Sequence, residues 1–150
     1  LFNVLGDIQG LRVLDAYSGS GAISLEAISR GAKLSVAVEN DKDAQAVIKK
    51  NINALGLSDT IELVHSGVKS WSGRHKDKLF DIVICDPPYG DIRRDHLRIL
   101  ALHLKAGGVI VYSLPPDVDV GLDSSQFSLL ARKSYGDASL CFYRRGSAFA

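Results

Sequence analysis

Residues 12–39 read RVLDAYSGSGAISLEAISRGAKLSVAVE, and the alternation inside this stretch decides the fold. Arg12-Val13-Leu14-Asp15-Ala16-Tyr17 has the length and apolar content of a buried strand. It runs into Ser18-Gly19-Ser20-Gly21, and a helix is expected from Gly21 to Arg30, stopped by Gly31. Leu34-Ser35-Val36-Ala37-Val38-Glu39 then reads as a second strand. A strand, a glycine turn, a helix and another strand make the unit from which parallel sheets are built.

The same alternation continues downstream. A helix is expected to start near Asn40 or Asp41, with acids in its first turn. Ala44, Val47, Ile48, Ile52 and Leu55 follow helical spacing, and Gly56 closes it. Ile61 to His65 reads as a third strand, and Lys69 to Lys78 as a polar connection. Phe80 to Cys85 is a fourth strand. A helix over Ile92 to Leu104 would offer Ile92, Ile99, Leu100 and Leu104 for burial, with Gly107-Gly108 stopping it and opening a strand from Val109 to Leu114. After Pro115-Pro116 the character changes. Phe127 to Ser134 and Ala138 to Tyr143 flank Tyr135-Gly136-Asp137, the pattern of an antiparallel hairpin. The expected class is α/β: a mostly parallel sheet, helices on both faces, and an antiparallel end.

The totals fit that class. A chain of 150 residues is expected to form one domain, here 1–150, and its apolar share of 46% and charged share of 23% are those of a globular protein. A net charge of +1 neither demands nor excludes a nucleic-acid partner. Cys85 and Cys141 lie in apolar strand-like runs without metal-ligand spacing, so both are expected to be buried, reduced thiols in a cytoplasmic protein. No apolar run is long enough to span a membrane, and LFNVL at 1–5 lacks the basic region and cleavage site of a signal peptide. With no methionine anywhere, the chain is expected to lack its natural start.

Parallel sheets bind ligands beyond the carboxyl ends of their strands, near the point where strand order reverses. Tyr17 to Gly21, Glu39 and Asp86 should all meet on that rim. The glycine turn lets a ligand approach the backbone closely. Ser24 occupies the third glycine position of a dinucleotide fingerprint, and no Gly-Lys-Ser/Thr follows, so a pyrophosphate cradle is absent. Glu39 stands 20 positions after Gly19, the offset at which an acid meets ribose hydroxyls. The glycines alone would serve a plain tight turn. With Glu39 they indicate a nucleoside site.

CDPPYG, residues 85–90, carries the chemistry. Two prolines end a sheet ladder and stiffen the chain beyond it. An exocyclic amine on a base is a poor nucleophile because its lone pair is delocalised. An enzyme that methylates it must hold both N–H bonds and turn the lone pair to the methyl donor. Asp86 can accept one N–H and the Pro87 carbonyl the other; Pro87 and Pro88 donate nothing that competes. Tyr89 offers a ring on which the base can stack. The work is orientation and electrostatics and asks for no metal. A rigid turn without chemistry is the plainer alternative.

These residues resemble class I S-adenosylmethionine-dependent methyltransferases, and within them the RsmD-type 16S rRNA guanine-N2 methyltransferases. The resemblance rests on LFNVL at 1–5, LDAYSGSGAISLEAISRGA at 14–32, VEND at 38–41, FDIVICDPPYG at 80–90 and YGDASLCFYRR at 135–145. It implies a Rossmann-like sheet of seven strands with the last two antiparallel. S-adenosylmethionine would be held by Asp15, Tyr17, Ser18, Gly19, Ser20, Gly21, Glu39, Asn40, Gly67, Val68 and Asp86. Asp86, Pro87, Pro88 and Tyr89 would hold a flipped guanine of ribosomal RNA within the small subunit, with the protein acting as a monomer. Two departures stand out. Where many methyltransferases carry an acid after the third strand, this chain has His65-Ser66-Gly67-Val68, so the backbone of Gly67 and Val68 would have to serve. The family's basic segment ahead of LFNVL is also absent.

DPPY is shared with adenine-N6 methyltransferases of DNA and RNA, so that activity stays open, as does a non-catalytic nucleoside-binding module. Arg93, Arg94 and Arg98 follow the clamp and could meet RNA phosphates or only solvent. Arg74, His75, Lys76 and Lys78 read as an exposed basic loop, and Arg144 and Arg145 as possible RNA contacts. Glu26 and Arg30 are spaced for an intrahelical ion pair, and Trp71 for packing. The four histidines are assigned no role.

Overall fold

The computed structural model describes residues 1–147. Its strands are β1 (Arg12–Asp15), β2 (Leu34–Glu39), β3 (Ile61–His65), β4 (Phe80–Cys85), β5 (Leu104–Leu114), β6 (Phe127–Tyr135) and β7 (Ala138–Arg145). They form one sheet in the order β3-β2-β1-β4-β5-β7-β6. The first five run parallel, and β7 enters antiparallel between β5 and β6. The helices are α1 (Phe2–Leu5), α2 (Ala22–Ser29), α3 (Lys42–Leu55), α4 (Val68–Arg74) and α5 (Arg94–Ala101). This is the mostly parallel sheet that the alternation predicts, hairpin included, and the seven-stranded Rossmann-like sheet that the resemblance implies.

Successive strand residues point to opposite faces, and the burial follows that rule. Ile82 and Ile84 pack with Phe2 of α1 and Ala27 of α2, whereas Val83 and Cys85 pack with Trp71 of α4 and Leu97 and Leu100 of α5. Ile48 and Ile52 carry α3 onto Ala37 and Ile61. The central strands are therefore apolar on both sides over Val13-Leu14, Val36-Ala37-Val38 and Ile82-Val83-Ile84.

Several expectations need correction. Lys69 to Lys78 is not a bare connection: α4 occupies Val68–Arg74 and buries Val68, Trp71 and Ser72. Their i, i+3, i+4 spacing is helical, but serines, glycine and charges between them mask the signal. α5 ends at Ala101, and Leu104, expected at a helix end, is instead the first residue of β5, paired with Phe80. Gly107 and Gly108 therefore sit inside a strand. Gly107 has φ +80°, and a Cβ on Gly108 would lie 2.9 Å from the Asp81 carbonyl oxygen, so a bulge and a close backbone approach account for both. Val47 and Leu55 are exposed at 51% and 62%, so α3 buries a narrower stripe than its apolar positions imply. Cys85 is buried and Cys141 only partly; both are free. The Glu26–Arg30 pair forms at 3.3 Å on the surface, and Trp71 is core. Among the described residues no helix is long and apolar enough to cross a membrane.

Candidate active site

β1 lies between β2 and β4, so the chain leaves the sheet in opposite directions on either side of it. That reversal opens a groove above the strands' carboxyl ends. Its volume is about 1380 Å³, and its lining brings together the ends of β1, β2, β3 and β4.

The loop after β1 is held from below. Asp15 is 1% exposed, and its Oδ2 accepts the hydroxyls of Ser18 (2.9 Å) and Ser24 (2.7 Å). Ser24 also shares a 2.8 Å bond with Ser35 of β2. Burial pushes the Asp15 carboxyl up to about 6, against the pull of these hydroxyls. Ser24, which spoils the dinucleotide fingerprint, thus anchors the acid beneath the loop. Gly21 adopts φ +82° at the start of α2, and a Cβ there would sit 3.1 Å from Ile48, so the turn needs glycine twice over.

Glu39 spans the gap between β1 and α3. Its Oε1 accepts the N–H of Gly19 (2.7 Å) and its Oε2 the N–H of Asp41 (2.8 Å). Asp41 in turn caps α3, accepting from the Ala44 N–H at 2.9 Å. Gln45 ties the ends of β2 and β3 together by donating to the carbonyls of Glu39 and Val64.

At the end of β4 the two prolines leave the sheet and enter a 3-10 turn over Tyr89–Asp91, closed by the Asp91 N–H on the Pro88 carbonyl (3.0 Å). Pro87 is buried, whereas Asp86 and Tyr89 are exposed to the groove. Among the described residues nothing in the chain donates to the Pro87 carbonyl, which leaves that acceptor free. Partial burial raises the Asp86 carboxyl above its ordinary value, opposed by the Ser113 hydroxyl of β5.

Of the residues singled out in the sequence, Tyr17, Gly19, Glu39, Asn40, Gly67, Val68, Asp86, Pro87, Pro88 and Tyr89 line this groove. Asp15, Ser18, Ser20 and Gly21 do not; Asp15 and Ser18 support the loop from beneath. Arg93, Arg94 and Arg98 lie outside it. Arg93 pairs with Asp91 at 3.1 Å, and Arg98 donates to the Val120 carbonyl at 2.8 Å. Sequence reasoning missed the wall built by α4, with Lys69, Ser70 and Arg74, and the contributions of Asp91 and His96. The spacing of Val68, Trp71 and Ser72 was the signal for that wall. Nothing local marks Asp91 or His96. Among the described residues no group of three metal-ligating side chains comes together.

The donor set fits S-adenosylmethionine. A fixed carboxylate suits ribose hydroxyls, an open glycine loop allows close approach, and several carboxylates suit a cation.

A family model described as Conserved hypothetical protein 95 matches residues 1–144. The chain is 37% identical over 82 residues to the ribosomal RNA small subunit methyltransferase D of Buchnera aphidicola, covering 55% of this chain and 42% of that one. It is 34% identical over 105 residues to a tRNA1(Val) (adenine(37)-N6)-methyltransferase of Shewanella sediminis, covering 66% and 42%. The chain thus spans less than half the length of these curated relatives. The solved structure of the Escherichia coli protein yhhF superposes with a TM-score of 0.86 at 26% identity, covering 97% of this chain and 82% of that one.

Proposed function

We propose that the chain, which belongs to this RsmD family, catalyses methylation of the exocyclic N2 amine of a guanine in small-subunit ribosomal RNA. One observation carries the reading: Asp86 and a free Pro87 carbonyl stand on a rigid turn, at one end of the groove whose middle holds Glu39 and the glycine loop. S-adenosylmethionine supplies an electrophilic methyl group on a sulfonium. Glu39, with Asn40 and the loop from Tyr17 to Gly21, would hold its nucleoside.

Asp86 and the Pro87 carbonyl each accept one amine N–H. This fixes the plane of the amine and draws electron density onto its nitrogen. Tyr89, 44% exposed at the groove's mouth, is placed to stack on the base. Once the methyl group is added the nitrogen carries four bonds, is cationic and must lose a proton. Asp86 is the nearest acceptor by design, and its raised carboxyl suits that task. Arg93, Arg94 and Arg98 lie outside the groove, where RNA phosphates would run. We read the partner as a small ribosomal subunit in the cytoplasm, met by a monomer.

An adenine-N6 activity is the second reading, favoured by the Shewanella relative's name and by DPPY itself. Labelled S-adenosylmethionine offered with unmodified small subunits, naked rRNA and duplex DNA separates the two. N2-methylguanosine in ribosomal material is the expected product. N6-methyladenine would keep the clamp and replace the substrate. Cofactor binding with no product on any of the three would leave a nucleoside-binding module.

A further inference from the structure

The strand order fixes which part of a nucleoside ligand lies where. Along the rim the exits run Ser66–Gly67 of β3, Glu39 of β2, the glycine loop of β1, then Asp86 of β4. If the reacting end faces Asp86 and the ribose meets Glu39, the base must lie beyond Glu39, against the wall from Ser66 to Arg74. This step rests on the nucleoside reading above.

The side chains of that wall are rich in donors. The side chains facing the groove there are Ser66, Val68, Lys69, Ser70 and Arg74. None is a carboxylate or a carboxamide. The Ser66 hydroxyl already donates to the Gly67 carbonyl (2.9 Å), which also takes the Trp71 N–H (3.0 Å). Arg74 is tethered by two serines, donating to Ser66 Oγ at 3.2 Å and Ser70 Oγ at 3.1 Å. Its guanidinium has five N–H donors, so donors remain for a ligand. Across the groove Asp41 spends its Oδ2 on the α3 cap, and Asn40 has a carboxamide that accepts or donates equally well. Position 67 has φ −73° and ψ 154°, ordinary for any residue, and a Cβ there would meet open space. The missing acceptor is therefore a matter of sequence and not of steric need.

We propose that this wall recognises the cofactor's purine without reading its exocyclic amine, with Arg74 as the specificity-determining residue that donates to ring nitrogens. N3 and N7 are acceptors in adenine, N6-alkyladenine and hypoxanthine alike. The site then accepts all three bases, whereas a carboxylate at position 67 would select the free amine.

Calorimetric titration of the protein with S-adenosylhomocysteine, its N6-methyl analogue and S-inosylhomocysteine tests this. The three dissociation constants are expected within about threefold of one another. Arg74→Ala is expected to weaken all three by about tenfold or more, the range for a hydrogen bond from a charged donor. Gly67→Asp is expected to create a preference of about tenfold for S-adenosylhomocysteine over S-inosylhomocysteine. A wild-type preference of tenfold or more for the amino base would overturn the inference and leave the nucleoside reading standing. So would a Gly67→Asp protein that binds but shows no new preference, since the wall would then not face the base. Failure of all three ligands to bind, in a protein whose circular dichroism shows it folded, would overturn the nucleoside reading and this inference with it.

Discussion

Replacing Asp15 with asparagine is expected to change stability by an amount that depends on pH. Asp15 is buried beneath the glycine loop, and its carboxyl is pushed from an ordinary 3.8 up to about 6. Between those values the folded chain holds a proton that the unfolded chain releases, so stability falls as pH rises through the window. The full shift, 6 − 3.8, corresponds to about 3 kcal/mol at 1.36 kcal/mol per unit. At pH 4 part of it is already expressed, which leaves roughly 2–3 kcal/mol to appear between pH 4 and pH 8. Asparagine carries no charge in either state. Any local misfit it introduces, at Ser18 or Ser24, is the same at both pH values and cancels in the difference. Urea unfolding of both proteins at pH 4 and pH 8 supplies the four free energies. The asparagine protein should gain roughly 2–3 kcal/mol on the wild type as pH goes from 4 to 8. A difference that stays flat within ~0.5 kcal/mol would show that Asp15 is not a desolvated acid, and the account of the loop's floor would fail.

Four further outcomes are expected from the same geometry. Asp86→Ala is expected to lower turnover by about 100-fold or more while cofactor binding stays within a few-fold; equal loss of both would place Asp86 in binding alone. Because the Asp86 carboxyl is raised and its ionised form is the one that accepts N–H, the wild-type rate should fall as pH drops, starting above the usual carboxylate range. Glu39→Ala removes the acceptor that spans Gly19 and Asp41 and should weaken cofactor binding by about tenfold, read by calorimetry. Trp71→Ala takes a 1% exposed ring from between α4 and the sheet and should cost about 3–5 kcal/mol in urea unfolding.

The parallel sheet was legible because β1, β2 and β4 are buried on both faces, so Val13-Leu14, Val36-Ala37-Val38 and Ile82-Val83-Ile84 are apolar runs. The clamp and Glu39 were legible because their positions relative to strand ends come from local pattern alone. The features that escaped depend on neighbours distant in sequence. α4 reads as polar because only three of its seven residues face the core. Leu104 reads as the end of a helix until Phe80 supplies its partner strand. Gly108 looks like a stop signal, yet the Asp81 carbonyl 2.9 Å from its would-be Cβ is what excludes a side chain. Arg98 reads as a free cation, yet it also donates to the Val120 carbonyl, 22 residues further on.

The charges of the groove bear on how it could favour one substrate and reject most of its surroundings. The chain as a whole carries +1; Glu39, Asp41, Asp86 and Asp91 line the cavity with Asp15 beneath it, and Lys42, Lys69 and Arg74 line it as well. The carboxylates at Glu39 and Asp86 would attract a cationic methyl donor and hold it less firmly once transfer had discharged the sulfonium, which would favour turnover. The same acids repel phosphates. On the RNA reading proposed above, a neutral base would enter beside Asp86 while its backbone stayed at the rim, where Arg93 and Arg94 are exposed. A base buried in a helix cannot meet that condition. Under the proposed reading the substrate would then be a nucleotide turned out of its stack, and the choice of nucleotide would fall to whatever in the RNA's own fold presents it.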